Sequence, residues 1–176
     1  ILNNPNVTLF NPYGPAEVTI NSHAHKCSAE DGKSASVPIG HALPNTTGFV
    51  LDTHRLAVPI GVHGELFLGG RKLARGYIGR QDLSEQSFVE VASLPNAGRL
   101  YKTGDRVRWL RSGRFDFLGR VDFQVKLNGQ RIEVGEIECV IRGVSAVNDV
   151  LVKLHGGGTT GVSTQLVAYV VANGPG

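Results

Sequence analysis

The sequence predicts a β-rich α+β chain: a mainly antiparallel, barrel-like sheet followed by a smaller α+β piece, the two meeting near Asp122. Three observations carry that expectation. Short apolar runs alternate with polar residues and are separated by Gly- and Pro-rich turns, the period-2 signature of half-buried strands. Asn128-Gly129 lies between two such runs, and a type I′ turn requires positive φ at both central residues. Only one long stretch has helical period: Val134, Ile137, Ile141 and Val144 recur at the spacing of one helix face.

In chain order, Val7–Phe10 is expected to be a strand running into a rigid loop at Asn11-Pro12-Tyr13-Gly14-Pro15-Ala16-Glu17. Val18-Thr19-Ile20-Asn21 is expected to continue as strand. His23, His25 and Cys27 alternate on one face; with no second ligand pair nearby they suit a solvated strand end better than zinc. Ser28–Ser36 is polar and suits a surface loop. Gly48–Asp52 and Gly64–Gly70 are strands, Gly69-Gly70 marking a bend rather than a phosphate loop, since GxxxxGK[ST] is absent. Asp82–Phe88 suits a short capped helix. Arg99–Val107 places Asp105 at a strand-end turn, and Val107–Leu110 with Arg114–Leu118 forms a hairpin across Arg111-Ser112-Gly113. Phe123–Leu127 and Gln130–Glu133 form the next hairpin. The helix after it carries Glu136 and Glu138 near its start, where the dipole favours negative charge, and Gly143 as its C-cap. Cys139 on that helix is expected to fill core. Val147–Leu154 and Gln165–Val171 pair across a Gly-rich connection.

The bulk numbers fit a globular chain of 176 residues, 41% hydrophobic and 19% charged. Ten of the 18 Lys and Arg fall between Arg99 and Arg142 against six acids, a local +4. Aromatic interleaving is too thin there for a single-strand binder, so no nucleic-acid partner is expected, and a small anion such as a nucleotide fits equally well. No apolar run reaches membrane-span length, so no membrane association is expected. Cys27 and Cys139 form no CxxC, which favours a reduced cytoplasmic setting. Ile at position 1 and the absence of methionine suggest a piece of a longer chain.

Four stretches together resemble the adenylate-forming enzymes, and most of all the adenylation domains of nonribosomal peptide synthetases. They are Asn11-Pro12-Tyr13-Gly14-Pro15-Ala16-Glu17; Gly64-Glu65-Leu66 with Ala74-Arg75-Gly76-Tyr77; Tyr101-Lys102-Thr103-Gly104-Asp105; and Gly119-Arg120-Val121-Asp122 through Gly135-Glu136-Ile137-Glu138. The resemblance implies ATP or AMP and Mg²⁺ as ligands and a two-step reaction. An amino acid is activated as its adenylate and then passed to the phosphopantetheine thiol of a carrier domain. It implies roles for Asn11 at the adenine edge, Tyr13 on the ring face, Gly14 in the loop, Glu17 on Mg²⁺, Asp105 on the ribose hydroxyls and Arg120 on ribose and phosphate oxygens. Pro12, Ile20 and Asn21 would line the amino-acid pocket. Asp122 would be a hinge between residues 1–120, the end of a large lobe, and 121–176, an incomplete cap. Lys126 would serve the second half-reaction. The family usually carries threonine where this chain has Ala16, which removes a phosphate contact. Carrier and condensation domains of the same synthetase are the implied partners. Asp122 disfavours a related acyl- or aryl-CoA ligase, where lysine is commoner. Ala16 leaves open a degenerate nucleotide-binding module. The phosphate-loop lysine and the adenylate-stabilising lysine are expected outside these residues.

Overall fold

The computed structural model describes residues 6–33, 36–122, 124–127, 130–156 and 164–173; for Lys126 and Arg131 it describes the backbone alone. The chain divides into two compact units, Ile1–Val121 and Asp122–Gly176.

In the first unit, β1 (Phe10–Tyr13), β2 (His23–Lys26) and β3 (His41–Ala42) form an antiparallel three-stranded sheet in that order. Pro12 is tolerated because β1 is an edge strand. A curled half-barrel sheet follows, built from β4 (Thr46–Leu51), β5 (His63–Gly70), β6 (Phe88–Glu90), β7 (Arg99–Trp109) and β8 (Phe115–Arg120). Its order is β4-β5-β7-β6, with β8 also pairing β7. The connection before β3 joins this sheet through reciprocal bonds at Phe115: Ile39 N donates to its carbonyl (2.9 Å) and its own N–H donates to Gly40 O (2.9 Å).

β5 shows why alternation alone undersells burial. Leu66 and Leu68 face a core with Val50, Tyr101, Val107 and Phe115, while Phe67 points the other way into a second cluster with Leu51, Val91 and Leu100. Both faces are covered. Each such apolar side chain contributes about 1.5–3 kcal/mol on burial, which makes β5 and its partner β7 the spine of the unit.

Several local expectations are corrected here. The first strand is Phe10–Tyr13, not Val7–Phe10. Val18–Asn21 is not strand: a 3₁₀ turn at Ala16–Val18 leads into Thr19 and Ile20, both left-handed at φ 56° and 67°. His23 and His25 are buried rather than solvated, and among the described residues no three His, Cys, Asp or Glu side chains are grouped to hold a metal. Asp105 sits inside an eleven-residue strand instead of at its end. The helix α1 (Gln81–Ser87) has no side-chain N-cap; Ser84 Oγ instead donates back to Arg80 O at 2.8 Å.

In the second unit, β9 (Val125–Leu127) pairs with β10 (Gln130–Ile132), Leu127 opposite Gln130, and the Asn128-Gly129 turn lies outside the described residues. Then comes α2 (Val134–Arg142), followed by the antiparallel pair β11 (Val147–His155) and β12 (Gln165–Ala172). Val134 packs with Val150 and Val152, flanked by Ile137 and Ile141. Cys139 is exposed, because it lies two residues past Ile137, about 200° around the helix from the packed face. Gly143 does end α2, its N–H reaching Cys139 O at 3.2 Å, but at φ −69° it needs none of glycine's freedom. Most of the Gly-rich connection lies outside the described residues. No described helix is long and apolar enough to cross a membrane.

Candidate functional site

The first group of site residues is assembled from three distant segments. Tyr13 ends β1, Asp105 lies mid-β7 and Arg120 ends β8. The Tyr13 hydroxyl donates to Asp105 Oδ2 across 92 positions of sequence. Arg120 Nη1 donates to Asp105 Oδ1 at 2.8 Å and to Thr103 O at 3.1 Å. Asp105 and Arg120 stand opposite each other in the β7–β8 ladder, so the ion pair is set by register. A bulge follows immediately, between Asp105 and Val107, with Gly104 at φ 71°. Such irregularities re-aim side chains out of the regular pleat.

Thr103 braces the main chain at Asp105. Its hydroxyl donates to Leu66 O (2.7 Å) and accepts the Asp105 N–H (2.9 Å). Asp105 is only 8% exposed. Burial first, and the Asp105 charge second, push the Tyr13 phenol well above its ordinary range, so it is a fixed donor at neutral pH. The two bonds occupy two of the roughly four lone-pair positions of the carboxylate, leaving acceptor capacity for further hydroxyls. The arrangement is a preorganised acceptor beside an aromatic ring.

The second group lies on the turn after Gly14. Glu17 is buried, and its Oε1 accepts the Tyr77 hydroxyl at 2.7 Å. Its main-chain carbonyl accepts Ala74 N–H at 2.8 Å. Ile20, 71% exposed, and Asn21 follow directly. Left-handed backbone at a β-branched residue is strained by about 1–3 kcal/mol, and here Thr19 and Ile20 adopt it consecutively. Gly14 is what lets the turn fold back. A Cβ there would lie 2.4 Å from Ile20 O, 2.6 Å from Ser22 N and 2.9 Å from Asn21 Cα, all backbone atoms.

The remaining positions make contacts of their own. Asn11 donates its amide to Pro38 O at 2.9 Å. Pro12 pairs with Ala24 on β2. Ala16 opens the 3₁₀ turn. Asp122 Oδ1 accepts Gln124 N–H at 3.1 Å, a local turn contact. Lys126 is on β9, its side chain outside the description. A cleft of about 610 Å³, lined by Leu51, Arg55, His63, Phe67, Lys102 and Arg106, involves none of the site residues named from the sequence. Sequence reasoning missed Thr103 and Tyr77 as supports. Both stand inside stretches that carry the family resemblance, which was the available signal.

Glu17 suits Mg²⁺ in kind: a carboxylate is a hard oxygen donor. With no cluster of further acids among the described residues, a bound Mg²⁺ would complete its shell with phosphate oxygens and water, its usual habit at nucleotides.

The model of one class of proteins, the AMP-binding enzyme family, matches residues 2–78. Within that class, the chain belongs to the adenylation domains of nonribosomal peptide synthetases. It is 46% identical over 165 residues, 93% of its length, to a linear gramicidin synthase polypeptide of Brevibacillus parabrevis. Among solved structures it resembles PA1221, a synthetase protein containing adenylation and PCP domains, with TM-score 0.84 and 32% identity over 98% of the chain. It also resembles AB3403, a four-domain synthetase bound to AMP and glycine, at 43% identity and TM-score 0.62 over 96% of the chain. The chain spans only 2% of the gramicidin synthase polypeptide, 34% of PA1221 and 12% of AB3403.

Proposed function

We propose that this chain is the nucleotide-binding portion of a domain that activates an amino acid with ATP, releasing pyrophosphate. The aminoacyl group then passes from the adenylate to the phosphopantetheine thiol of a carrier domain, and AMP leaves. The observation that carries the proposal is the convergence of Tyr13, Asp105 and Arg120. AMP binding by AB3403 and the carrier domain of PA1221 support it.

In this reading Asp105 accepts the ribose hydroxyls, Tyr13 offers its ring to adenine and Arg120 both orients Asp105 and adds positive charge. Asn11 meets the adenine edge. Glu17 would hold Mg²⁺, an ion that would neutralise phosphate charge. Pro12, Ile20 and Asn21 line the amino-acid pocket; the exposed Ile20 is free to meet a ligand. Ala16 leaves one phosphate contact to water. Asp122 is the hinge between 1–120 and 121–176, and Lys126 acts in thiol transfer. A condensation domain would receive the product, and ATP supply and the two free thiols suit the cytoplasm.

The test is amino-acid-dependent pyrophosphate exchange by the parent protein, measured across single amino acids. One strongly preferred amino acid is expected. A folded parent that exchanges with none would refute the proposal in favour of a binding module.

A further inference from the structure

We propose that Tyr77 is the positioning residue of the Glu17 carboxylate, and that residues 72–77 form a strap holding the turn that carries Glu17, Ile20 and Asn21. The inference rests on the reading of Glu17 as the residue that holds Mg²⁺. Four hydrogen bonds join strap to turn. Tyr77 OH reaches Glu17 Oε1 (2.7 Å) and Ala74 N reaches Glu17 O (2.8 Å). Thr19 Oγ1 donates to Lys72 O (2.9 Å), and Lys72 Nζ donates to Asn21 O (3.2 Å). The strap thus grips both the side chain and the main chain of Glu17.

The turn needs outside support. Thr19 and Ile20 both occupy the left-handed region that β-branched residues avoid, and such backbone persists only where its surroundings fix it. The strap is anchored in turn. Arg99 donates to Arg75 O (3.0 Å) and to Ala74 O. Ser84 Oγ accepts Tyr77 N–H at 2.8 Å, and the Tyr77 ring packs edge-on against Phe88 at 5.8 Å. The hydroxyl is therefore aimed from a fixed ring at one oxygen of a buried carboxylate.

A phenol suits this task. It orients a carboxylate without neutralising it, whereas Lys or Arg in the same place would compete with a cation.

The test uses the intact parent, with ATP affinity measured by calorimetry with and without Mn²⁺ as the probe metal. The readout is the factor by which Mn²⁺ tightens ATP binding. Tyr77→Phe, which keeps the ring, should cut that factor about fivefold and leave metal-free ATP affinity within about twofold. 3-Fluorotyrosine at position 77 retains the donor and should return the wild-type factor. In a Glu17→Gln background, Tyr77→Phe should add less than about twofold, the non-additivity of a pair acting as a unit. If Glu17→Gln abolishes the Mn²⁺ effect while Tyr77→Phe leaves it intact, the strap inference falls and the metal reading stands. If Glu17→Gln changes nothing, the metal reading falls and the inference with it. Equal loss with and without Mn²⁺, or no recovery with fluorotyrosine, shows general support only and overturns the inference.

Discussion

Asp105→Asn tests whether the Tyr13–Asp105–Arg120 group is a binding device, a structural brace, or both. Asn preserves shape but removes the charge and turns one acceptor oxygen into a donor facing Tyr13 or Arg120. The side chains of Arg120 and Asp105 are 16% and 11% exposed, so the pair is poorly screened. Removing one member of a fully buried pair costs about 3–5 kcal/mol, and a hydrogen bond to a charged group contributes about 1.5–3 kcal/mol. Arg120 keeps its bond to Thr103 O, which argues for the lower part of that span, about 2–4 kcal/mol. Urea unfolding of the parent's adenylation domain measures this, alone and in a cycle with Arg120→Met. Coupling under about 0.5 kcal/mol would refute the claim that the two residues act together. ATP KM in pyrophosphate exchange measures the ligand side and should rise about tenfold or more, a loss of about 1.4 kcal/mol. If stability falls while ATP kinetics hold, Asp105 is a brace and the nucleotide assignment is wrong.

Gly14→Ala forces a methyl against three backbone atoms; destabilisation of about 1–3 kcal/mol and a raised amino-acid KM are expected, and a neutral variant in both assays would contradict the packing described here. His23, fully buried, has its pKa lowered to about 4 from 6.5, by desolvation first and the nearby His41 second. The unfolded chain therefore takes up the proton first, so stability present above pH 6.5 is lost as pH falls towards 4, by roughly 3 kcal/mol. His23→Phe should flatten that slope in urea unfolding at about pH 7, 5.5 and 4, the window set by the two pKa values; an unchanged slope places the sensitivity elsewhere. Asp122→Pro locks φ at about −65° and should spare pyrophosphate exchange within a few-fold while cutting carrier loading much more. Parallel loss of both half-reactions, or loss of neither, excludes the hinge.

What the sequence determined by itself was local. The packed face of α2 follows from the spacing of Val134, Ile137 and Ile141, and the β7–β8 hairpin from a turn-forming Arg111-Ser112-Gly113 between apolar runs. Those features depend on neighbours a few residues away, where propensity and period act directly. The motif residues were also legible, as chemical types at fixed spacing. Tertiary structure decided the rest. Val18–Asn21 has strand-forming side chains, yet bonds joining Thr19 and Asn21 to Lys72, more than fifty residues on, hold it as a left-handed turn. His23 and His25 alternate as a surface strand would, yet β2 lies between β1 and β3 with both rings buried. Asp105 belongs to a turn signature, but pairing with Arg120 carries the strand through it and a bulge supplies the bend. Tyr77 meets Glu17 only because the chain closes over sixty positions. Contacts of that range depend on how sheets curl and register against each other, and no short window of sequence contains both partners.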